Sequence, residues 1–223
     1  MKGRTLAMMV GWIVGAIAQA AAIDTPASSQ PAPKSTPAPA ASSSASAKAT
    51  SSSASATNAL LATPMIPVEG ILPAKLTDTF DQARSADRRH DAIDIMAPRG
   101  TRVRAAADGK LVKLFTSVRG GLTAYEFEPT GTIEYYYAHL DSYAPGLTEG
   151  QPLHRGDLIG FVGSTGDADP NAPHLHFEIT LLGQEKQWWQ GIALNPYPIL
   201  TGKQTITAAV EAAVSAQASK PSL

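Results

Sequence analysis

Cysteine is missing from all 223 residues of the chain, which excludes a disulfide framework and any thiolate metal site. A metal ion here has to be held by histidine and carboxylate. Net charge is nearly missing too: 18 Lys and Arg face 19 Asp and Glu, a formal charge of -1. No global field therefore draws the chain to nucleic acid or to anionic lipid. A membrane-spanning run is also lacking, because the apolar stretch from Thr5 to Ala18 is shorter than the ~18 to 20 residues a span needs, and Gln19 interrupts it.

What that stretch does resemble is an export signal. Lys2 and Arg4 form a basic start, the apolar run follows, and Ala18-Gln19-Ala20 and Ala20-Ala21-Ala22 both fit an A-x-A cleavage pattern. Residues 1–22 are expected to be removed, leaving a periplasmic or secreted protein with no stable membrane span; without a following cysteine, lipid attachment is not expected. Residues 23–63 are almost wholly Ala, Ser, Pro and Thr. Such a segment has too few large apolar side chains to offset its ordering entropy, so it is expected to be a disordered linker.

From Pro64 the composition changes: Ile66, Val68, Ile71, Leu72, Leu76 and Phe80 supply apolar anchors, and a folded domain is expected over 64–200. Its punctuation is that of short strands and tight turns. Ala97-Pro98-Arg99-Gly100 suits a type I turn, and Asp108-Gly109 between two extended runs is a hairpin signal. The runs Leu122–Phe127, Thr132–Ala138, Leu158–Val162 and His174–Leu181 are β-rich, and no window shows a long apolar period of 3.6. The domain is expected to be mainly β, a curved antiparallel sheet or sandwich. The tail, 201–223, carries Ile206, Val210 and Val214 at helical spacing and is expected to be a short helix or disordered.

The chain has five histidines, and their placement is the informative feature. In Pro173-His174-Leu175-His176-Phe177-Glu178 a strand puts His174 and His176 on one face and Leu175 and Phe177 on the other. His90 and Asp94 lie four apart, close enough in a looped or extended segment to reach one point. His139 lies in the aromatic run Tyr135-Tyr136-Tyr137-Ala138-His139, where a freely solvated imidazole is unexpected. His154, in a polar loop, is expected at the surface. Each pair alone is common by chance. Together they supply two imidazoles and a carboxylate, a set suited to Zn²⁺ with one position open, and leave two further histidines for proton handling and oxyanion stabilisation. Spacing does not say which of His174 and His176 is the ligand.

These residues resemble the M23 metallopeptidases of the LytM/lysostaphin type over about Phe80 to Pro196. His90-Asp91-Ala92-Ile93-Asp94 with the following Ala97-Pro98-Arg99-Gly100-Thr101 looks like the family's first motif, Tyr137-Ala138-His139-Leu140 its central one, Gly160 to Gly166 its glycine-rich approach, and His174-Leu175-His176 its closing H-x-H. The resemblance implies a mainly β LytM-type fold with one Zn²⁺ per chain on His90, Asp94 and His176. It also implies catalytic His139 and His174, and hydrolysis of peptide bonds in peptidoglycan stems or cross-links by a monomer. Degenerate relatives are non-catalytic activators of other wall hydrolases, and elastase-like members cut proteins instead. Two positions depart from the family pattern. Ala92 replaces a common glycine, and Arg84 stands where lysostaphin-like members often have an oxyanion-holding tyrosine; Arg84 is either a substitute donor or a solvated side chain, and the solvated reading is preferred. Trp188 and Trp189 are expected to serve packing before substrate binding.

Overall fold

The computed structural model describes residues 61–84 and 88–219. The expected signal, nearly all of the expected linker and the last residues of the tail lie outside them. Strands β1 (Ala83–Arg84) and β2 (Arg88–Arg89) pair as a small ribbon just ahead of His90. The main sheet holds nine antiparallel strands: β3 (Ile93–Met96), β4 (Arg102–Arg104), β5 (Gly109–Ser117), β6 (Gly121–Phe127), β7 (Ile133–Tyr143), β8 (Pro152–Leu153), β9 (Leu158–Val162), β10 (His174–Leu182) and β11 (Gly191–Leu194). Two helices follow, α1 (Pro196–Leu200) and α2 (Ile206–Ala218). The mainly β antiparallel expectation holds, and among the described residues no helix is long and apolar enough to cross a membrane.

The sheet is organised around β7 and β10, which pair from Ala138↔His176 to Ile133↔Leu181. The other edge of β10 takes β3 beside its first half and β11 beside its second. Strand alternation sorts the side chains into two faces. Ile133, Tyr135 and Tyr137 of β7 meet Leu175, Phe177 and Ile179 of β10 in a core that also holds Ile93, Ile95, Val103, Leu111 and Ile159. The opposite face of the same two strands carries His174, His176, Glu178, Glu134 and Tyr136. One hydrophobic decision thus orients the polar face as well.

A buried polar group ties this core together. The Tyr137 hydroxyl donates to Glu126 Oε2 and accepts from the Ala106 backbone N–H at 2.8 Å. Burial pushes the Glu126 carboxyl up to about 7 despite that bond.

Two turn expectations are corrected. Strand β4 pairs with β9, and β5 with β6 and β8, so Asp108-Gly109 does not close a hairpin between its flanking strands. Gly109 is there for close approach: a Cβ would overlap the Phe127 carbonyl oxygen, and the Asp108 carboxylate accepts from the Arg155 backbone N–H. At Pro98–Thr101 the Thr101 N–H bonds the Pro98 carbonyl, and Gly100 has φ +84°, the left-handed third position of a type II turn.

The tail is helical where it is described. Thr205 caps α2 by accepting from the Ala208 N–H, and Ile206 and Ala209 are buried, whereas Val214 is 53% exposed. The helix is thus anchored by its first turns.

Candidate metal centre

Strand β3 and the segment before it bring His90 and Asp94 beside β10. Their register is fixed by the pairing Asp94↔His176, which sets those two residues directly opposite each other. His90 Nε2, Asp94 Oδ1 and His176 Nδ1 form a triangle with sides of 3.0, 3.1 and 3.2 Å. Four-coordinate zinc with bonds of ~2.0–2.1 Å at tetrahedral angles holds its ligand atoms ~3.3 Å apart, so the triangle has the size such an ion requires. These three residues form a group that can hold a metal ion, with His90 buried and the other two partly exposed.

The protons are arranged to match. The Nδ1–H of His90 donates to the Thr79 carbonyl at 2.8 Å, which leaves Nε2 as a lone pair facing the other two atoms. Thr79 also accepts from the Asp94 backbone N–H through Oγ1 at 2.9 Å. Burial alone would favour the neutral form of the Asp94 carboxyl, but the adjoining His176 and His90 imidazoles and the Arg84 guanidinium outweigh it and hold the group well below the usual carboxylate range.

Arg84 stays exposed, as expected from the sequence, but it is also paired. The Arg84 guanidinium bonds Asp94 Oδ2, the oxygen turned away from the two imidazoles. The β1–β2 ribbon carries it there, a placement ten residues from Asp94 in sequence that no local pattern announces.

His139 and His174 stand beside the triangle. Their rings lie 5.0 Å apart, and His139 is 5.6 Å from His176, both edge-on. His139 donates from Nδ1 to the Thr165 carbonyl and His174 from Nδ1 to the Ala172 carbonyl, both at 2.8 Å; His139 keeps Nε2 free, and His174 Nε2 lies 3.7 Å from Asp94 Oδ1. Burial, with the neighbouring imidazoles adding to it, pulls His139 down to about 4, although the Thr165 contact opposes the shift. His139 is thus a neutral base at neutral pH.

The backbone explains how His139 gets there. Plain alternation along β7 would send it into the core with Tyr135 and Tyr137. Its φ of +60° and a register shift opposite Leu122–Ala124 insert an extra residue, and that bulge turns the ring onto the site face. Leu140 then resumes the core at 0% exposure. The glycine-rich segment supports the bulge: a Cβ on Gly163 would overlap the Asp141 N–H and crowd the His139 carbonyl.

All five predicted site residues thus converge, while His154 is exposed and lies elsewhere. The centre sits in a groove of about 610 Å³ whose walls include Arg88, Arg119, Tyr136, Asp167 and Glu178. Thr79 and Thr165 escaped the sequence reading, since both act through backbone carbonyls; Arg84 was singled out there, but its pairing with Asp94 was not. Glu178 had a signal: it continues the alternation of His174 and His176.

Comparison with known proteins then fixes the relationship. Residues 88–196 match the family described as Peptidase family M23. The chain carries an M23 peptidase domain. The domain is 37% identical over 134 residues to the DD-carboxypeptidase/endopeptidase Mpg of Neisseria meningitidis, covering 60% of this chain and 28% of that relative. It is 30% identical over 129 residues to the L-Ala--D-Glu endopeptidase of Bacillus subtilis, covering 55% of this chain and 38% of that protein. Among solved structures, the catalytic domain of lysostaphin from Staphylococcus simulans is 28% identical with a TM-score of 0.46, over 56% of this chain and 88% of that one. The chain spans well under two thirds of the two curated relatives' length.

Proposed function

We propose that this M23 protein is an exported zinc metalloendopeptidase that hydrolyses peptide bonds in the stems or cross-links of peptidoglycan. The observation that carries the reading is the triangle of His90 Nε2, Asp94 Oδ1 and His176 Nδ1 with two more imidazoles facing its open side. The relatives' names supply the substrate class; the side chains supply the chemistry.

His90, Asp94 and His176 would hold a Zn²⁺ ion, which would supply Lewis acidity for the scissile carbonyl and a water acidic enough to attack at neutral pH. His139, neutral and with Nε2 free, accepts the proton released by the attacking water and returns it to the leaving amine. His174, whose Nδ1–H donates to the Ala172 carbonyl, would stabilise the oxygen on which negative charge develops as the imidazolium, donating from Nε2–H. Arg84 and Thr79 keep the carboxylate and the first imidazole in register. The domain boundaries proposed are a signal over 1–22, a linker over 23–63, the peptidase over 64–200 and a tail over 201–223, with the mature protein a monomer in the envelope.

The test is zinc stoichiometry together with hydrolysis of purified sacculi. Wild-type protein is expected to hold one zinc and release soluble muropeptides, and His176→Ala to lose both. A His176→Ala protein that keeps its full cellular role assigns the chain instead to the non-catalytic activators.

A further inference from the structure

The face of the sheet that bears the histidines does not end at the metal centre. On β10 it runs from His176 to Glu178 and Thr180, and on β7 the residues opposite are Tyr136 and Glu134. Tyr125 of β6 lies beside Tyr136, with ring centroids 4.7 Å apart. Trp188, from the loop between β10 and β11, closes over Tyr125 at 4.7 Å and Phe115 at 5.4 Å. The result is a second pocket of about 440 Å³ that shares Tyr136 and Glu178 with the groove of the metal centre. Tyr136 stands edge-on to His176 at 6.0 Å, so the two spaces are neighbours along one surface.

The chemistry of this pocket is one-sided. Its ionisable side chains besides the tyrosines are two carboxyls, Glu134 and Glu178, and none of its described lining residues is Lys, Arg or His. Glu178 accepts from the Thr180 hydroxyl at 3.2 Å. Glu134 is 4% exposed, and its Oε2 has no hydrogen-bond partner although it belongs to a side chain lining the pocket. A buried carboxyl oxygen without a donor costs stability, and proteins rarely keep one unless something else uses it. Burial, with the Glu178 carboxylate adding to it, pushes Glu134 up to about 9, a shift that an arriving cation reverses. Aromatic walls above paired carboxyls suit a cation on an aliphatic stem, because the ring faces attract the charge and the carboxyls accept its N–H groups. Trp189, expected to pack, is instead 64% exposed at the pocket's rim, where it offers apolar surface to such a stem.

We propose that Glu134 and Glu178, walled by Tyr125, Tyr136 and Trp188, form a subsite for an alkylammonium group, the side-chain amine of a diamino acid in the peptide lying in the groove. The assignment rests on the reading that the groove takes a peptide. Adjacent same-face residues on β10 are ~7 Å apart, so the amine belongs to a residue next to the one being cut or one further on.

The experiment compares two peptides, acetyl-Ala-Ala-Lys-Ala-Ala-amide and its counterpart acetylated on the lysine side chain, for binding to the mature zinc-loaded protein, by calorimetry and by tryptophan fluorescence. The free amine is expected to bind roughly tenfold more tightly, and the ratio to fall to about one in Glu134→Gln and Glu178→Gln. Wild-type protein that fails to favour the amine overturns the proposal without recourse to any variant, as does a preference that survives both substitutions. Cleavage of sacculi is scored separately. Discrimination without cleavage leaves the subsite standing while the hydrolase reading falls, and cleavage without discrimination does the reverse.

Discussion

Thr79 and Arg84 hold the far sides of two side chains whose near sides face the proposed metal position. Removing a near side and removing a far side should therefore have different signatures. Replacing His90, Asp94 or His176 with Ala is expected to abolish zinc retention and hydrolysis together, read by metal analysis after dialysis. His139→Ala and His174→Ala are expected to keep the metal while kcat falls by roughly 10²- to 10⁴-fold. Arg84→Gln leaves all three ligands in place but frees Asp94 Oδ2, and a competitive chelator titration should show zinc affinity weaker by about tenfold or more. Unchanged affinity would show that Arg84 merely rests on the carboxylate.

Glu134 has a residue-scale consequence of its own. Its pKa is raised from the ordinary 4.5 to about 9, so the folded protein keeps a proton there that the unfolded chain releases above pH ~4.5. That contribution to stability is complete below the unfolded value and fades as pH rises through 9. Between pH 7 and 9, wild type should therefore lose on the order of 2 kcal/mol relative to Glu134→Gln, measurable by urea unfolding at the two pH values. A constant difference between the two proteins would mean that the carboxyl is already ionised at pH 7.

At the scale of elements, β10 does what its sequence announces and β7 does not. Alternation in His174-Leu175-His176-Phe177 is enough to send imidazoles one way and core residues the other, with Leu175 and Phe177 both at 0% exposure. In β7 the same rule misplaces His139. The bulge depends on partners far away in sequence, Gly120, whose carbonyl accepts from the His139 N–H, and Gly163, which lets a second backbone come close. Gly163→Ala forces those backbones apart and is expected to cost about 1–3 kcal/mol in thermal or denaturant unfolding, with activity lost faster than fold. Asp108-Gly109 teaches the same lesson from the other side. The dipeptide looks like a turn, yet its glycine serves an approach to Phe127 that local rules do not register.

For the whole molecule, the export reading makes the cleanest prediction, since it needs no structure. Expressed with its own N-terminus in a bacterial host, the protein should appear outside the cytoplasm beginning at Ala21 or Ile23, as intact mass would show. Full-length protein retained in the cytoplasmic fraction would refute it.

Composition and pattern by themselves determined the class of strands, the face that β10 turns to the core, and a cysteine-free set of candidate ligands, because these follow from alternation and from which side chains can bind a metal. Only the folded sheet decided that Asp94 sits opposite His176, that Arg84 reaches Asp94 Oδ2, that His139 leaves the core face, and that Glu134 meets Glu178 under Trp188. Each of those depends on pairing between segments distant in the chain, and strand register is an energy shared by two strands that neither one carries alone.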